Sequence, residues 1–256
     1  MLKKITIFRF FCFLAGTIIL FFQPLFGQKL PPKYLDFFHF RSIGPTRQGG
    51  RISDFAVCRQ NSKIFYVAAA SGGLWKTVNG GTSFKPIFDH EDICSIGDVA
   101  VAPSDCNLVW VGSGEANLRN STYYGNGIYK STDGGRTWKN MGLKESHHIG
   151  RIVIHPTNPD IVYVAAQGHL YTENPERGLY KTTDAGLTWK KILEVRVEGR
   201  YIGVTDVVMD PHHPDTLYAA AYDRQRFPWS FRTAGPGSGI YKTTDGGQTW
   251  QKLEKG

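Results

Sequence analysis

The chain has 256 residues, of which 41% are hydrophobic and 13% are aromatic. A chain of this length and composition can bury a sizeable core, so an intrinsically disordered protein is excluded. The formal charge is +8, but basic and acidic residues alternate along the chain without a run of five like charges. This distribution argues against a nucleic-acid partner.

Residues 1–27 have the pattern of a secretory signal peptide. Lys3 and Lys4 provide a positively charged start, residues 5–22 are mainly apolar, and Gly27 is the small residue expected before a cleavage site. An uncleaved membrane anchor is the alternative, because the apolar stretch approaches the length needed to span a bilayer. In both cases we expect the mature chain outside the cytoplasm, secreted, periplasmic or at the cell surface, with membrane contact only if the leader is retained.

Residues 28–44 form an extended lead-in in this prediction, and four units with approximate boundaries 45–92, 93–144, 145–198 and 199–256 follow. Each unit has two apolar strands, a loop of variable length and two further short strands. The predicted first strands are Ser53–Val57, Gly97–Ala102, Gly150–His155 and Thr205–Met209, and the second strands are Ile64–Ala68, Leu108–Gly112, Ile161–Ala165 and Leu217–Ala221. Four short strands per unit of roughly 50 residues are typical of β-propeller blades.

A short repeat stands near the end of each unit. It reads Lys130-Ser-Thr-Asp-Gly-Gly-Arg-Thr-Trp138 in the second unit and returns at 181–189 and 242–250, with a degenerate copy at 76–84. Asp followed by glycines between two strands indicates a tight turn, because the carboxylate accepts hydrogen bonds from nearby backbone N–H groups and glycine adopts positive φ. The closing aromatic residue provides an apolar anchor. We therefore predict structural roles for the turn residues Asn79, Asp133, Asp184 and Asp245 and for the anchors Trp138, Trp189 and Trp250.

This repeat resembles the Asp-box, or bacterial neuraminidase, repeat, which occurs in sialidase-type, sortilin/Vps10-type and xyloglucan-hydrolase-type β-propellers. With Phe40-Arg-Ser-Ile-Gly-Pro45 and Gly49-Gly-Arg-Ile52 ahead of the blades, the chain is most similar to secreted bacterial sortilin/Vps10-like proteins, which are often labelled glycosyl hydrolases. The resemblance implies an all-β propeller, of the same general design as WD40 and YVTN propellers, that binds a peptide, a protein or a glycan. Such propellers usually have six or more blades, so we expect these four to be the N-terminal part of a larger ring whose remaining blades lie further along the protein.

Blade topology separates two faces of the predicted propeller. Connections between first and second strands share one face with the Asp-box turns, whereas loops between second and third strands share the other face with the links between blades. Variable polar loops on a rigid scaffold are where propellers hold ligands. The ligand-binding candidates on this second face are Asn117, Arg119, His169, Asp223, Arg224 and, at the start of a first strand, Arg151.

The starts of the four first strands carry charged residues at matched positions: Asp54, Asp98, Arg151 and Asp206. Innermost strands line the channel of a propeller, so we expect these side chains to surround its mouth. Arginine is well suited to bridging carboxylates. The group is either a structural ring of ion pairs or a polar site in which one carboxyl has a shifted pKa.

Catalysis is an open question at this stage. A glycosidase normally needs two carboxylates, about 5–5.5 Å or about 6.5–9.5 Å apart, and the candidates are Asp54, Asp98, Glu115 and Asp206. A sialidase is disfavoured because the usual early Arg-Ile-Pro signature is absent. Xyloglucan-hydrolase-type propellers carry a catalytic Asp just after the second strand of the first blade; Ala70 stands at the matching position here, and alanine cannot transfer a proton.

The leading hypothesis is therefore a binding scaffold of the sortilin-like kind. The alternative is a secreted glycoside hydrolase that acts on a polysaccharide, and a third hypothesis is an assembly factor of the photosystem-II-stability kind. We predict no cofactor and no metal site, since there is no Cys-x-x-Cys pair and His147 and His148 are adjacent rather than spaced along a helix.

The cysteines permit at most one internal disulfide. Cys12 lies in the leader, which leaves Cys58, Cys94 and Cys106. We expect these three to be small buried apolar residues, with a Cys94–Cys106 bridge as the alternative.

Overall fold

The computed structural model describes residues 50–117 and 122–254, together with Pro31 and Lys33. The predicted signal peptide, nearly all of the lead-in, and Arg119 lie outside the described residues. The strands all belong to one compact unit, residues 44–256. They form antiparallel sheets joined by turns and loops, which confirms the all-β prediction. Within the described part of the chain, no helix is long and apolar enough to cross a membrane.

The first two sheets share one four-stranded antiparallel order, in which the strands pair in the order of the chain. The first sheet comprises β1 (Ile52–Val57), β2 (Phe65–Ala69), β3 (Gly73–Thr77) and β4 (Lys85–Pro86). The second comprises β5 (Ile96–Ala102), β6 (Asp105–Ser113), β7 (Ile128–Ser131) and β8 (Lys139–Asn140).

The third sheet repeats this order, and the fourth repeats it with one additional strand at its start. The third comprises β9 (Ile149–Ile154), β10 (Val162–Ala166), β11 (Gly178–Thr182) and β12 (Lys190–Leu193). The fourth begins with β13 (Val195–Val197), β14 (Arg200–Met209) and β15 (Leu217–Tyr222). A separate ribbon follows, β16 (Gln225–Arg226) and β17 (Phe231–Arg232), before β18 (Gly239–Thr243) and β19 (Gln251–Lys252) complete the fourth sheet. We call the four sheets the first to fourth blades.

The core lies between the faces of successive blades. Side chains alternate across a strand, and in β10 both sets are buried: Val162 and Val164 pack towards the second blade, while Tyr163 and Ala165 pack towards the fourth. A strand covered on both faces needs a continuous apolar sequence, which explains the uninterrupted Val-Tyr-Val-Ala-Ala of β10. The anchors Trp138, Trp189 and Trp250 are half-buried and each packs against one of these interblade clusters.

The Asp-box turns share a face with the connections between first and second strands, as predicted. The amide of a turn glycine donates to a carbonyl of that connection within the same blade, as Gly80 does to Lys63 at 3.0 Å and Gly246 does to Asp215 at 2.9 Å. We call this the turn face. The opposite face, which carries the links between blades and the loops between second and third strands, is the loop face.

The disulfide joins Cys58 to Cys106, with a Cα–Cα distance of 5.2 Å, and Cys94 is exposed and free. The expectation of three buried thiols and the alternative Cys94–Cys106 pairing are both wrong. Cys94 precedes β5 on the loop face, whereas Cys106 follows β5 on the turn face, so the strand separates them by roughly 20 Å. Cys58 lies at the turn-face end of β1 in the adjacent blade and therefore meets Cys106.

Candidate functional site

The Asp-box carboxylates are occupied within their own turns. Oδ1 of Asp133 accepts hydrogen bonds from the backbone N–H groups of Arg136 and Thr137, each at 2.9 Å, and Oδ2 accepts from the Thr137 hydroxyl at 2.6 Å. These bonds hold the pKa of Asp133 well below its usual range, and the bond from the Thr137 hydroxyl has the largest effect. Asp184 and Asp245 repeat the arrangement. The geometry is that of a turn cap.

The same boxes connect neighbouring blades through lysine. Lys76, Lys130 and Lys181 each donate to a backbone carbonyl in the Asp-box turn of the next blade, at 2.7, 3.1 and 2.9 Å respectively. Two tryptophan anchors bond to the preceding blade. Nε1 of Trp138 donates to the backbone oxygen of Ile87 at 2.7 Å, and Nε1 of Trp189 donates to that of Met141 at 2.8 Å. These contacts of the Asp boxes join neighbouring blades on the turn face.

Arg151 lies at the centre of the charged ring at the mouth of the channel. Its Nη1 is 3.0 Å from Oδ1 of Asp98 and 3.4 Å from Oδ1 of Asp54, and its Nε is 3.0 Å from Oδ1 of Asp206. One guanidinium thus bridges carboxylates from the first, second and fourth blades. The structure brings together all four residues that the sequence placed around the channel.

The environment of Asp98 differs from that of the other two acids. Asp98 is buried, and its Oδ2 accepts a hydrogen bond of 2.7 Å from the backbone N–H of Ile152. Burial raises the pKa of Asp98 well above its usual range, although Arg151 opposes this change. Asp54 and Asp206 are partly exposed. The ring therefore contains one carboxyl with an altered protonation equilibrium, held by its neighbours in a fixed orientation.

A cavity of about 240 Å³ opens beside this ring, lined by Asp98, Arg151, Asp206 and Asn117 among others. Asn117 is exposed at its edge, which places this predicted ligand-binding residue next to the ring.

Glu115 is fully buried on the loop face, where it pairs with Arg51. One carboxylate oxygen accepts from both Nε and Nη2 of Arg51, while the other, Oε2, is buried without a partner among the described residues. His148 lies against the same segment, with Nδ1 2.9 Å from the backbone oxygen of Glu115. Burial lowers the pKa of His148 to about 3, so this imidazole is neutral at physiological pH.

Asp223 and Arg224 are buried in the loop that carries β16 and β17, rather than displayed to solvent. Asp223 accepts from Arg200 at 2.9 Å and from Arg232 at 2.7 Å. Burial alone would raise the pKa of Asp223, but these arginines hold it below its usual value. Arg224 donates to the backbone oxygen of Ala116 at 2.6 Å, and burial lowers its pKa to about 10. Both side chains support the loops in this structure.

His169 meets two residues that sequence reasoning did not connect with it. Its Nε2 is 3.7 Å from Oε2 of Glu145, which is 3.9 Å from Nε2 of His147. The two imidazoles are stacked with their centroids 3.6 Å apart. Burial lowers the pKa of His147. Glu145 and His147 belong to the link between the second and third blades, and His169 belongs to the loop after β10, so only the folded chain brings them together.

Exposed aromatic side chains on the loop face were also missed as a group by the sequence analysis. Trp229 is 83% exposed, Tyr124 is 64% exposed and Tyr171 is 53% exposed. All three lie in loops between second and third strands, from the second, third and fourth blades. Their common signal in the sequence is an aromatic residue within each of these variable loops.

Ala70 is fully buried at the end of β2. Its N–H donates to the backbone oxygen of Arg51, and its carbonyl accepts from the Ser95 hydroxyl, each at 2.8 Å. The position that the resemblance matches to a catalytic Asp is therefore an apolar, closed part of the scaffold here.

The model of the Sortilin-Vps10 family, described as sortilin, neurotensin receptor 3, matches residues 126–256, which is half of the chain. A xyloglucanase from Hypocrea jecorina is 26% identical over 219 residues, covering 77% of this chain and 25% of the relative. A xyloglucanase from Acetivibrio thermocellus is 25% identical over 238 residues, covering 80% of this chain and 26% of the relative. The chain thus spans about a quarter of the length of these curated relatives.

The crystal structure of the GH74 xyloglucanase from Xanthomonas campestris has a similar fold. It superposes with a TM-score of 0.58 at 18% sequence identity, covering 78% of this chain and 29% of that structure. At this identity the similarity concerns the fold, which is that of a propeller.

Proposed function

Since the chain belongs to the Sortilin-Vps10 family, we propose that it is a binding scaffold that holds a peptide, protein or glycan on its loop face. The ligand would lie across the loops of the second, third and fourth blades and reach the mouth of the channel beside Arg151. The turn face of the described blades would serve to join one blade to the next.

The exposed aromatic side chains of the loop face carry this proposal. Leaving a large apolar group such as Trp229 in water is unfavourable, and exposed side chains on variable loops of a rigid scaffold are available to contact a ligand. Aromatic rings pack against the apolar faces of sugars and against peptide side chains, and their polar groups remain able to form hydrogen bonds. Asn117 adds an amide between these loops and the charged ring.

The candidate acids support binding more than catalysis. Asp54 and Asp98 share one nitrogen of Arg151, and Glu115 is buried against Arg51. A glycosidase acid must reach the leaving-group oxygen and change protonation state during the reaction. Carboxylates already paired with arginine lose that freedom, and Ala70 supplies no acid in its place.

A secreted glycoside hydrolase is the second candidate, favoured by the xyloglucanase relatives. In that case Asp98 is the best proton donor among the described residues, because burial favours its protonated form. The substrate would be a polysaccharide of the xyloglucan class, bound along the same aromatic loops.

We also propose that the domain works outside the cytoplasm. Disulfides persist in oxidising compartments and are rare in the cytosol, and the Cys58–Cys106 bridge joins two blades. Fractionation of cells that express the full-length protein, with N-terminal sequencing of the mature form, tests this. Recovery in the cytoplasm with Met1 retained would contradict it.

The deciding experiment is a glycan array and a polysaccharide-hydrolysis screen on the full-length protein, followed by a peptide library. Trp229→Ala should weaken ligand binding at least tenfold, whereas Leu187→Ala, at another highly exposed apolar residue that lies on the turn face, should leave it unchanged. Release of reducing sugar that is abolished by Asp98→Asn would establish the hydrolase instead. Equal binding by wild type and Trp229→Ala would reject the aromatic loop face as the ligand site.

A further inference from the structure

Glu145, His147 and His169 bring three potential metal ligands close together on the loop face. The Oε2 atom and the two imidazole nitrogens lie within 4.8 Å of one another. Two imidazoles and one carboxylate are a ligand set that suits divalent transition metals such as Zn²⁺. We propose that these residues form a binding site for one such ion, which adjoins the ligand surface proposed above.

The distances are close to those of a tetrahedral site. Zinc binds imidazole nitrogen and carboxylate oxygen at about 2.0–2.2 Å, which puts neighbouring ligand atoms about 3.4 Å apart. Oε2 of Glu145 is 3.7 Å from Nε2 of His169 and 3.9 Å from Nε2 of His147. Shortening these two distances by a few tenths of an ångström, together with rotation of one imidazole out of the stack so that both ring nitrogens face the ion, would bring the three atoms to bonding positions.

His169 is oriented for this role. Its Nδ1 is 2.9 Å from the hydroxyl of Thr172, which leaves Nε2 as the atom that faces Glu145. That Nε2 is buried and forms no hydrogen bond with the described residues. Metal-binding histidines commonly engage the second ring nitrogen in this way, since the contact fixes the tautomer and the ring orientation.

The backbone on both sides of the site is joined by one side chain. Asn174 is buried, its Nδ2 donates to the backbone oxygen of Glu145 at 3.0 Å, and its Oδ1 accepts from the backbone N–H of His169 at 3.0 Å. The interblade link and the loop after β10 are therefore held at a fixed separation without an ion. An ion would bind to a largely formed site and would connect these two segments more strongly.

Three protein ligands leave a further coordination position. The adjoining pocket of about 170 Å³ is lined by Tyr124, Tyr171 and Thr172 as well as by the two histidines. A water molecule or an oxygen of a bound ligand would occupy that position. The alternative without a metal is a pair of stacked imidazoles beside a solvated carboxylate, which would bind no ion with one-to-one stoichiometry.

The test is a titration of the full-length protein, freed of metal with a chelator, with Zn²⁺ or Co²⁺ alone, followed by calorimetry and by the visible absorption of Co²⁺. We expect one equivalent to bind, an absorption band typical of tetrahedral cobalt, and a raised melting temperature. No sugar or peptide is present, so the result is independent of the proposed scaffold function.

Glu145→Gln and His169→Ala should each weaken binding at least tenfold. Glu145 has a 69% exposed side chain, so its substitution tests the site without disturbing the core. His213→Ala is the matched control, because His213 is an exposed histidine 3.5 Å from Asp210 without a third ligand. Absence of stoichiometric binding, or equal affinity in Glu145→Gln and wild type, would overturn the proposal.

Discussion

Replacement of Ala185 by glycine should stabilise the protein. Ala185 occupies the first glycine position of the third Asp box, and its φ is 60°, in the left-handed region. The equivalent residues Gly80, Gly134 and Gly246 have φ of 69°, 72° and 69°. The turn therefore imposes the same backbone conformation on alanine that it imposes on glycine, although only glycine adopts it without a steric penalty.

The expected gain follows from two opposing terms. An L-residue with a Cβ in the left-handed region costs about 1–2 kcal/mol relative to glycine. Glycine also increases the conformational entropy of the unfolded chain, which lowers the free energy of unfolding by about 0.4–1 kcal/mol. The net stabilisation is therefore about 0.5–1 kcal/mol, or a rise of a few degrees in melting temperature for a domain of this size.

The reverse substitution provides the matched control. Gly134→Ala should destabilise by about 1 kcal/mol, because the backbone is equally constrained and the new Cβ would lie 2.9 Å from Nζ of Lys76 and 3.1 Å from Oδ1 of Asn107. Urea unfolding followed by tryptophan fluorescence measures both variants, since Trp138 and Trp189 lie beside the two turns. If Ala185→Gly lowers the midpoint, or if Gly134→Ala leaves it unchanged, the strain assigned to this turn position is refuted.

Four further outcomes are expected. Asp133→Ala should lower stability by about 1 kcal/mol through loss of the turn cap while leaving ligand binding intact; a loss of binding at unchanged melting temperature would contradict the assignment of faces. Arg151→Met should cost about 3 kcal/mol, because Asp98 would remain buried without its cation, and a melting temperature equal to that of the wild type would contradict a structural role. Replacing Cys58 and Cys106 by serine should cost about 4 kcal/mol in the chain-entropy account, since the bridge closes a separation of 48 residues; thermal unfolding with and without reductant measures this. The hydrogen bond from the Thr188 hydroxyl, with the other contacts of the turn, lowers the pKa of Asp184 to about 2. The stability that the ionised Asp184 gives the folded protein should therefore be complete above about pH 4 and be lost as pH falls through about 2. Acid unfolding of the wild type compared with that of Asp184→Asn measures this difference.

The blade design could be predicted from the sequence because each element has a local cause. The continuous apolar stretches become the doubly covered second strands, and the Asp-box residues form their turn through contacts within a few positions of Asp133. Starts and ends of strands differ from the prediction by one or a few residues; β14, for example, begins at Arg200 rather than Thr205. That extension arises because β14 also pairs with β13, an added strand with no counterpart among the described residues of the other blades.

The candidate site was predictable only where the repeat fixed a position. Aligning the first strands was enough to place Arg151 among Asp54, Asp98 and Asp206. The variable loops have no such alignment, so the burial of Asp223 and Arg224 and the meeting of His147 with His169 depend on how one loop packs on the next. Cys58 and Cys106 belong to the same class, since their pairing requires knowing that two turns of adjacent blades lie side by side.

The ring around Arg151 also bears on how such a protein can evolve. Repeat proteins lengthen when one unit is duplicated or exchanged, and the strands of any of these four units would fit beside a neighbour. The charges would not, because three units contribute an acid to the ring and one contributes the guanidinium. A second copy of the unit that carries Asp98 would add a buried carboxyl group without its arginine partner. The units are therefore alike in backbone but fixed in order, and genetic shuffling among them is limited by charge balance at the channel.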